Sequence, residues 1–272
     1  MKAYAKANIF LKLTGFDSRK YHLLESRFIL LKDLFDELEL VDKELDSKKE
    51  FEIISNFKCE NNIIQKEFEI ISNFKCENNI IQKAYLLLSR RYNNELKELF
   101  SKKSLKLTKN IPVCAGLGGG SSDCASFLLL MNETLNLKLN LQELINLSTQ
   151  LGSDIAFFLS GFHSANVSSC GEIIEEFEDD IPNLKWTFPQ ISCQTKAVYD
   201  EFDREIFDFQ KNNNQAQIYK KLSTKELLQN FKNKELNDLF TPCATLYPKM
   251  KSYLQEDFFL SGSGSSVFKV DR

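Results

Sequence analysis

The chain has 272 residues, of which 43% are hydrophobic and 27% charged, so it is long enough for two domains and too apolar for wholesale disorder. A formal net charge of −3 without a long run of Lys or Arg argues against nucleic-acid binding. Seven cysteines without a CxxC pair and two distant histidines predict neither a disulfide framework nor a zinc site, and they favour a cytoplasmic location. No apolar run reaches membrane-spanning length, and we expect no signal peptide.

The first predicted element is a strand. Apolar residues alternate with polar ones over residues 3–13, and this period of two is typical of a strand with one buried face. Lys6, Asn8 and Lys12 fall on the other face, which we predict to be accessible. A loop is predicted from Gly15 to Lys20.

An exact tandem repeat follows. Residues 50–66 and 67–83 both read EFEIISNFKCENNIIQK. The repeated unit is too short, and two copies are too few, to form a solenoid. Each copy contains a strand-like piece and a helix start, and only the second runs on into a convincing helix, ending near Tyr92. We interpret the repeat as a slippage duplication or an artefact. Because an odd insertion exchanges the two faces of a strand, we predict that the extra copy loops out or displaces its twin, and that one copy is dispensable.

The middle of the chain carries a glycine-rich segment between two predicted elements. A strand is predicted over 105–109 and a helix over 125–135, with the segment Pro112–Asp123 between them. A second helix is predicted to begin after Asn140 and to end at Gly152, a residue type common just beyond a helix. Glu143 lies three residues after Asn140 and completes a capping-box pattern.

The glycine-rich segment predicts a phosphate-binding loop. Four of the five residues from 116 to 120 are glycine, which permits positive φ and lets backbone N–H groups approach a phosphate chain. The hydroxyls of Ser121 and Ser122 could bind phosphate or Mg²⁺. The segment is neither a Walker A motif nor a dinucleotide fingerprint. A flexible turn is the alternative, but the flanking strand and helix favour a functional phosphate-binding loop.

Two charged residues outside the loop are candidates for catalysis. Asp154 follows Gly152 and could be the general base that takes a hydroxyl proton, or it could cap a helix over 155–159; the residues alone do not decide between these. Lys6 could orient Asp154 or the transferred phosphate, whereas an ordinary solvated lysine is the alternative.

The chain resembles the GHMP kinase superfamily, whose phosphate loop has the form Pro-x-x-x-Gly-Leu-small-small-Ser-Ser, found here at Pro112–Ser122. Four further motifs resemble the 4-diphosphocytidyl-2-C-methyl-D-erythritol kinase family within it. They are Ala-Lys-x-Asn at Ala5–Asn8, the pair Tyr21-His22, Leu-Gly-Ser-Asp at Leu151–Asp154, and Ser-Gly-Ser-Gly at 261–264.

The resemblance implies an α+β two-domain GHMP kinase fold. Residues 1–160 would form a ribosomal-protein-S5-like N-terminal domain that binds ATP, and residues 161–272 a ferredoxin-like C-terminal domain, shortened here. The implied reaction is ATP-dependent phosphorylation of the 2-hydroxyl of 4-diphosphocytidyl-2-C-methyl-D-erythritol, in non-mevalonate isoprenoid precursor biosynthesis. The implied partners are Mg²⁺ and a cytidine-diphosphate-linked polyol, with no nucleic acid and no membrane.

The resemblance also implies roles for individual residues. The catalytic pair would be Lys6 and Asp154. The nucleotide would be bound by Asn79, Lys109, Pro112, Val113, Cys114, Ala115, Gly116, Leu117, Gly118, Gly119, Gly120, Ser121 and Ser122, with Ser122 also a ligand of Mg²⁺. The substrate would be bound by Asn8, Tyr21, His22, Thr195 and Tyr199, with the aromatic rings stacking on cytosine.

Two departures from the family pattern concern glycines. Lys20 stands where the family usually has Gly before the Tyr-His pair, and Ser169 stands at the first Gly of Gly-x-Gly-Glu. His163 matches no family role, and we interpret it as structural. Two other functions stay open: another GHMP-type kinase acting on homoserine or mevalonate, and a non-catalytic ligand sensor on the same fold.

Overall fold

The structure, a computed structural model, describes residues 1–43, 51–55, 68–71, 79–204 and 208–271. Its strands are β1 (Lys2–Phe16), β2 (His22–Asp42), β3 (Phe51–Ser55), β4 (Phe68–Ile71), β5 (Lys103–Thr108), β6 (Ser164–Ser169), β7 (Ile173–Glu176), β8 (Leu184–Thr187), β9 (Phe259–Leu260) and β10 (Val267–Val270). Its α-helices are α1 (Ile80–Lys102), α2 (Gly119–Thr134), α3 (Leu141–Ser148), α4 (Ile155–Ser160), α5 (Thr195–Phe202), α6 (Phe209–Tyr219), α7 (Thr224–Asn230), α8 (Asn233–Leu236), α9 (Phe240–Leu246) and α10 (Lys251–Gln255).

The chain divides into two compact units, each assembled from separate stretches. The first unit is Met1–Ala5, Lys32–Ile111 and Gly119–Leu159, and the second is Lys6–Leu31, Pro112–Gly118 and Ser160–Arg272. Strands β1 and β2 therefore contribute residues to both units. We predicted two contiguous domains with a boundary at residue 160. The two compact units are instead interleaved along the sequence, so they do not test that boundary, and it stays a prediction.

In the first unit, strands and helices share one core. The 37–42 part of β2 pairs antiparallel with β5, and β3 pairs parallel with β5. The strand predicted at 105–109 is thus confirmed as β5. The buried core joins apolar side chains of these strands to those of α1, α2, α3 and α4, among them Leu38, Leu88, Phe100, Leu105, Phe127 and Ile155.

The two repeat copies supply neighbouring strands. β3 comes from the first copy and β4 from the second, and they pair in parallel with Phe51 opposite Phe68 and Ile54 opposite Ile71. β3 also pairs with β5, so β4 lies at the edge of the sheet as far as the structure describes it. The prediction that one copy loops out or displaces its twin is therefore wrong for these two strands. The register argument applies to residues inserted within one strand. In a parallel neighbour paired in register, identical residues lie opposite each other and point to the same side of the sheet. The remaining predictions for residues 56–67 and 72–78 fall outside the described residues.

In the second unit, the 24–29 part of β2 pairs antiparallel with β6, which pairs with β7. A separate sheet has β10 between β8 and β9. Two buried clusters fill this unit. One joins β1 to α5 and α9 and includes Leu13, Val198 and Phe240, and the other includes Phe10, Ile29, Tyr219 and Phe268.

The predicted accessible face of β1 is wrong. Lys6, Asn8 and Lys12 are only 4%, 2% and 3% exposed. These polar side chains are buried because each has partners in the second unit. The ammonium of Lys12 contacts Asp238, and the amide of Asn8 donates to the hydroxyl of Ser26 at 3.0 Å. Alternation predicted the strand, but long-range contacts decide which faces reach solvent.

Three helix boundaries differ from expectation. α1 continues to Lys102 instead of ending near Tyr92, where only that residue has a non-helical backbone, with φ of −125° and ψ of 39°. α2 begins at Gly119 rather than 125, so the last glycines of the loop already belong to a helix. The capping box at the start of α3 is confirmed, with the Asn140 side chain accepting the Glu143 N–H at 3.0 Å. α3 ends at Ser148 rather than Gly152, because the N–H groups of the two residues before Ser153 turn back to the Ser148 carbonyl at 2.9 and 3.0 Å.

Candidate active site

The carbonyl groups of the glycine-rich loop are held by the second unit. The Ala115 carbonyl accepts the N–H of Ser266 at 3.1 Å, and the Leu117 carbonyl accepts the N–H of Lys6 at 2.9 Å. The Gly116 carbonyl accepts the hydroxyl of Ser261 at 3.0 Å and the ammonium of Lys6 at 3.4 Å. Three successive carbonyls are therefore bound by protein donors, which fixes the loop's orientation.

The N–H groups of the same residues are used differently. Within the described ranges, the N–H groups of Gly116, Leu117 and Gly118 donate no hydrogen bond. Positive φ angles recur at every second residue, with 54° at Cys114, 75° at Gly116 and 68° at Gly118. Successive N–H groups in such alternating conformations form a concave site for anions. The loop therefore has the backbone geometry expected of a phosphate site.

α2 continues the loop in the first unit. The first N–H groups of a helix have no partner within it and carry partial positive charge, and here they include those of Gly119, Gly120, Ser121 and Ser122. Gly119 and Gly120 lack the positive φ that glycine richness suggested for the whole loop. At Gly119 the constraint is space, because an added Cβ would lie 3.0 Å from the Ile111 side chain.

Lys109 lies beside the start of α2. Its ammonium contacts Asp36 and lies 2.6 Å from Asp123, and it would be 3.5 Å from a Cβ at Gly119. Burial raises the pKa of the Asp123 carboxyl to about 8, with the nearby Lys109 charge opposing part of that rise. Burial lowers the pKa of Lys109, but the two carboxylates outweigh it and the net pKa is raised. Lys109 thus keeps its charge next to the helix start.

Asn79, another residue predicted to bind the nucleotide, caps α1. Its side-chain oxygen accepts the N–H of Ile81 at 2.8 Å. A Cβ at Gly120 would lie 3.9 Å from Ile80, so the start of α1 is a neighbour of the start of α2. The structure therefore gives Asn79 a structural role at the start of α1, and its part in nucleotide binding stays a prediction.

The predicted catalytic residues belong to different units. In the second unit, the Lys6 ammonium is 2.6 Å from the Asn8 amide oxygen and 4.5 Å above the Phe28 ring. Lys6 therefore links Asn8 to the Gly116 carbonyl. In the first unit, Asp154 is half-buried and directly precedes α4. Their predicted mutual contact stays a prediction.

Three of the predicted substrate residues divide between two places. The His22 ring lies 4.9 Å from the Tyr199 ring, 4.6 Å from Phe16 and 6.1 Å from Phe202. Its Nε2 is 2.7 Å from a carboxylate oxygen of Asp203. Tyr21 is 63% exposed and stands apart from this cluster, with a guanidinium 5.2 Å from its ring.

Thr195 starts the helix that carries Tyr199. Its hydroxyl is 3.0 Å from the hydroxyl of Ser263, in the second small-residue loop at 261–266. α5 therefore connects this loop at one end to the His22 ring cluster at the other.

Both family glycines that this chain lacks are replaced without loss of backbone conformation. Lys20 has φ of 66° and Ser169 has φ of 64°, the left-handed region that glycine favours. The carboxylate of Asp17 accepts the N–H groups of Arg19 and Tyr21 at 2.8 and 2.9 Å, which closes the turn around Lys20. The loop before His22 thus keeps the shape that a glycine would give it.

Sequence reasoning missed three residues. Asp203 lies four positions after Tyr199 on α5, and helical spacing would have placed it beside the same partner. Ser261 was recognised only as part of a motif. Asn237 donates to the carbonyls of Leu260 and Gly262 at 3.0 and 2.9 Å, and nothing in its local sequence signals that role.

Residues 79–162 match the family described as GHMP kinases N terminal domain. A 4-diphosphocytidyl-2-C-methyl-D-erythritol kinase of Campylobacter jejuni subsp. jejuni serotype O:6 is 92% identical over 272 residues, which cover 100% of this chain and 100% of that protein. The chain belongs to the 4-diphosphocytidyl-2-C-methyl-D-erythritol kinase family. A kinase of this family from Sulfurimonas denitrificans is 40% identical over 271 residues, covering 99% of this chain and 96% of that one.

The family's fold agrees with that of this chain. A crystal structure of 4-(cytidine 5'-diphospho)-2C-methyl-D-erythritol kinase matches with a TM-score of 0.67 at 22% identity, covering 100% of this chain and 90% of that chain. The α+β fold of GHMP kinases predicted from the motifs is therefore confirmed. Since kinases use ATP, membership in this family implies that ATP is the phosphoryl donor. In the described part of the chain, no helix has the length and apolarity to cross a membrane.

Proposed function

We propose that this chain transfers the γ-phosphoryl group of ATP to the 2-hydroxyl of 4-diphosphocytidyl-2-C-methyl-D-erythritol, a step of non-mevalonate isoprenoid precursor biosynthesis. The observation that carries the proposal is the loop at 112–118. Its carbonyls at 115, 116 and 117 are all bound by protein donors, while the N–H groups of Gly116, Leu117 and Gly118 have no partner in the described ranges. This arrangement suits the phosphate chain of a nucleotide.

Each proposed catalytic residue has a distinct task. Asp154 takes the proton of the attacking hydroxyl. The hydroxyl oxygen of the substrate then bonds to the γ-phosphorus, while the bond between that phosphorus and the ADP oxygen breaks. Lys6, whose ammonium is 3.4 Å from the Gly116 carbonyl, supplies positive charge next to the phosphate loop. The start of α2 adds the partial charge of its unpaired N–H groups.

The residues at the start of α2 fit a bound Mg²⁺. This ion prefers oxygen ligands and is often held by one or two protein groups together with substrate phosphates. Ser122 offers a hydroxyl in the first turn of α2, next to Asp123, whose Oδ1 is buried without a hydrogen-bond partner among the described residues. Mg²⁺ would neutralise charge on the phosphates, and Ser122 is the residue proposed to hold it.

The substrate's cytidine is proposed to bind near the ring cluster of His22 and Tyr199. An aromatic ring stacks on a pyrimidine, and an imidazole nitrogen hydrogen-bonds its polar edge. Tyr21, Thr195 and Asn8 remain proposed substrate contacts. Membership in the family disfavours the homoserine and mevalonate alternatives and also the non-catalytic sensor.

The test is the Asp154→Asn variant with a panel of alcohols that includes the cytidine-linked one. We expect kcat on that alcohol to fall by about 10²–10⁴-fold, since a general base is lost while the phosphate loop is untouched. ATP affinity by calorimetry should stay within about twofold. Asp33→Asn, at an exposed acid of the same unit, is the control and should retain full activity. Near-normal turnover by Asp154→Asn would remove Asp154 as the base.

A further inference from the structure

Asp203 contacts the imidazole ring of His22, in the aromatic cluster of the second unit. Its Oδ1 lies 2.7 Å from Nε2 of His22, a hydrogen-bond distance, and the two side chains are 39% and 14% exposed. Neither the motifs nor the family resemblance assigns this acid a role. The contact is long-range, since 181 residues separate the partners, so the fold and not the local sequence creates it.

The chemistry of the pair determines where the imidazole carries its proton. An ionised carboxylate only accepts hydrogen bonds, so Nε2 must carry the hydrogen that lies between them. In a neutral imidazole the other nitrogen is then an acceptor. Among the residues described, Nδ1 of His22 has no hydrogen-bond partner. An acceptor nitrogen is therefore available to a ligand.

The neighbouring rings hold the imidazole plane. The Phe16 ring is inclined at 48° to it and the Tyr199 ring at 57°, with Phe202 on the third side at 77°. A ring flip that exchanges the two nitrogens would have to break the Asp203 contact within this packing. The donor and acceptor positions of His22 are thus fixed in space.

The helix supports this arrangement. Thr195, Tyr199 and Asp203 are spaced four residues apart and share one face of α5, with Asp203 at its C-terminal cap. The neighbouring acid Asp200 points elsewhere and pairs with Lys196 at 2.7 Å. Only one of the two acids therefore meets His22.

We propose that Asp203 is a positioning residue that fixes His22 with its proton on Nε2, so that Nδ1 accepts the exocyclic amino group of cytosine. Cytosine presents an N–H donor at this edge, whereas uracil presents a carbonyl acceptor there. Nδ1 of His22 and the uracil carbonyl are both acceptors and would repel each other. The His22–Asp203 pair therefore selects cytidine over uridine nucleotides. This inference rests on the proposed function for the identity of the base, and its tests are chosen to be independent of phosphoryl transfer.

The tautomer can be observed directly by long-range ¹⁵N–¹H NMR of the imidazole rings at about pH 8, above the ordinary pKa of histidine. The chain has two histidines, so His163 serves as an internal reference. We expect wild-type His22 to show the neutral form with hydrogen on Nε2, and Asp203→Ala to show a mixture of both tautomers. Asp200→Ala is the matched control and should leave both signals in place. A wild-type proton on Nδ1, or a His22 signal unchanged in Asp203→Ala, would overturn the proposal.

Selectivity is measured by calorimetry with CDP and UDP as the probes. The wild type should bind CDP about tenfold more tightly than UDP, the value of one hydrogen bond gained or lost. Asp203→Ala should reduce that ratio to about one, while ATP affinity and folding stability stay within error of Asp200→Ala. Equal CDP-to-UDP ratios in wild type and Asp203→Ala would refute the role of Asp203. Failure of the proposed reaction would show separately, as absence of turnover in a protein that still prefers CDP.

Discussion

The second unit contains two loops with two glycines each, at 112–118 and 261–266, and they contact the rest of the protein through different polar groups. In the second loop, Ser261, Ser263 and Ser265 all direct their hydroxyls to protein partners. In the first loop, the Gly116 carbonyl accepts the Ser261 hydroxyl, and the N–H groups at 116–118 have no partner in the described ranges. The second loop also has N–H groups without a partner in those ranges, at Gly262, Ser263 and Ser265. Neither richness in small residues nor available N–H groups therefore identifies a ligand site alone, and the helix α2 that follows distinguishes the first loop.

The comparison also shows that the second loop is a support for the first. It supplies the Ser261 hydroxyl and the Ser266 N–H, and it is itself held by Asn237. Weakening the support at Ser261 or Asn237 should therefore affect nucleotide binding even though neither residue is a proposed nucleotide contact. Four substitutions test this dependence.

The largest effect is expected from Gly116→Ala. An added Cβ would collide with the carbonyl of Ser261, and φ of 75° is unfavourable for any L side chain. We expect kcat/KM to fall by about 100-fold or more, since the two loops must separate. Gly161→Ala is the matched control. It has φ of 73° but no atom within 4 Å of the added Cβ, so it measures backbone strain alone. Equal losses in the two variants would show that the loop contact is unimportant.

Asn237→Ala should have the next largest effect. It leaves two buried carbonyls without their donor, so the free energy of unfolding should fall by about 2–4 kcal/mol in urea titrations. The control is Asn233→Ala, because Asn233 also donates to two carbonyls, at 2.9 Å each, away from both loops. Both variants should be destabilised, and only Asn237→Ala should also bind ATP more weakly. If Asn233→Ala lost ATP affinity equally, general instability would explain both results.

Ser261→Ala should have a moderate effect without unfolding the protein. The Gly116 carbonyl loses a donor at 3.0 Å, and the Asn8 N–H loses an acceptor at 3.3 Å. We expect the Kd for ATP to rise by about 3–10-fold, the value of one net hydrogen bond. Ser252→Ala, at an exposed serine of α10, is the control and should match the wild type in calorimetry. An unchanged Kd in Ser261→Ala would mean that the backbone contacts suffice.

The smallest effect is expected from Ser263→Ala, which removes only the contact with Thr195 at 3.0 Å. Because Thr195 is exposed, water can replace the lost partner and ATP affinity should change by less than about twofold. The KM for the cytidine-linked substrate should change more than that for ATP, since Thr195 is a proposed substrate contact. A larger effect on ATP would place Ser263 with Ser261 in the support of the phosphate loop.

Local motifs made parts of this site predictable from the sequence. The capping box at Asn140, the strand at Leu105 and the loop at Gly116 each depend on residues close together in the chain, so the sequence displays them. Long-range contacts were not predictable. The burial of Lys6 and the contact of Asp203 with His22 depend on segments far apart in sequence, which periodicity cannot bring together.

The sequence shows that two glycines of the family pattern are replaced, but it does not show which backbone conformation the replacing residues adopt. The motif comparison showed Lys20 and Ser169 in place of glycine, and glycine's absence suggested a changed loop. Both residues adopt the left-handed conformation instead, and at Lys20 the Asp17 carboxylate helps to stabilise it. The energetic cost of a non-glycine residue at Lys20 is small enough for local hydrogen bonds to Asp17 to offset.

The pairing of β3 with β4 has a consequence for how such a gene can change. A sheet edge offers unused backbone donors and acceptors, and an in-frame duplication of an edge strand supplies a segment that matches them residue for residue. The interior of the protein is not altered, because the original strand keeps its place beside β5. We predict that removal of one seventeen-residue copy leaves a single strand beside β5 at the edge of the sheet. The start of α1 would keep the same residues, because the two copies are identical. We therefore predict that a strand can be gained or lost at this edge while the pairing of β3 with β5 and the activity stay unchanged.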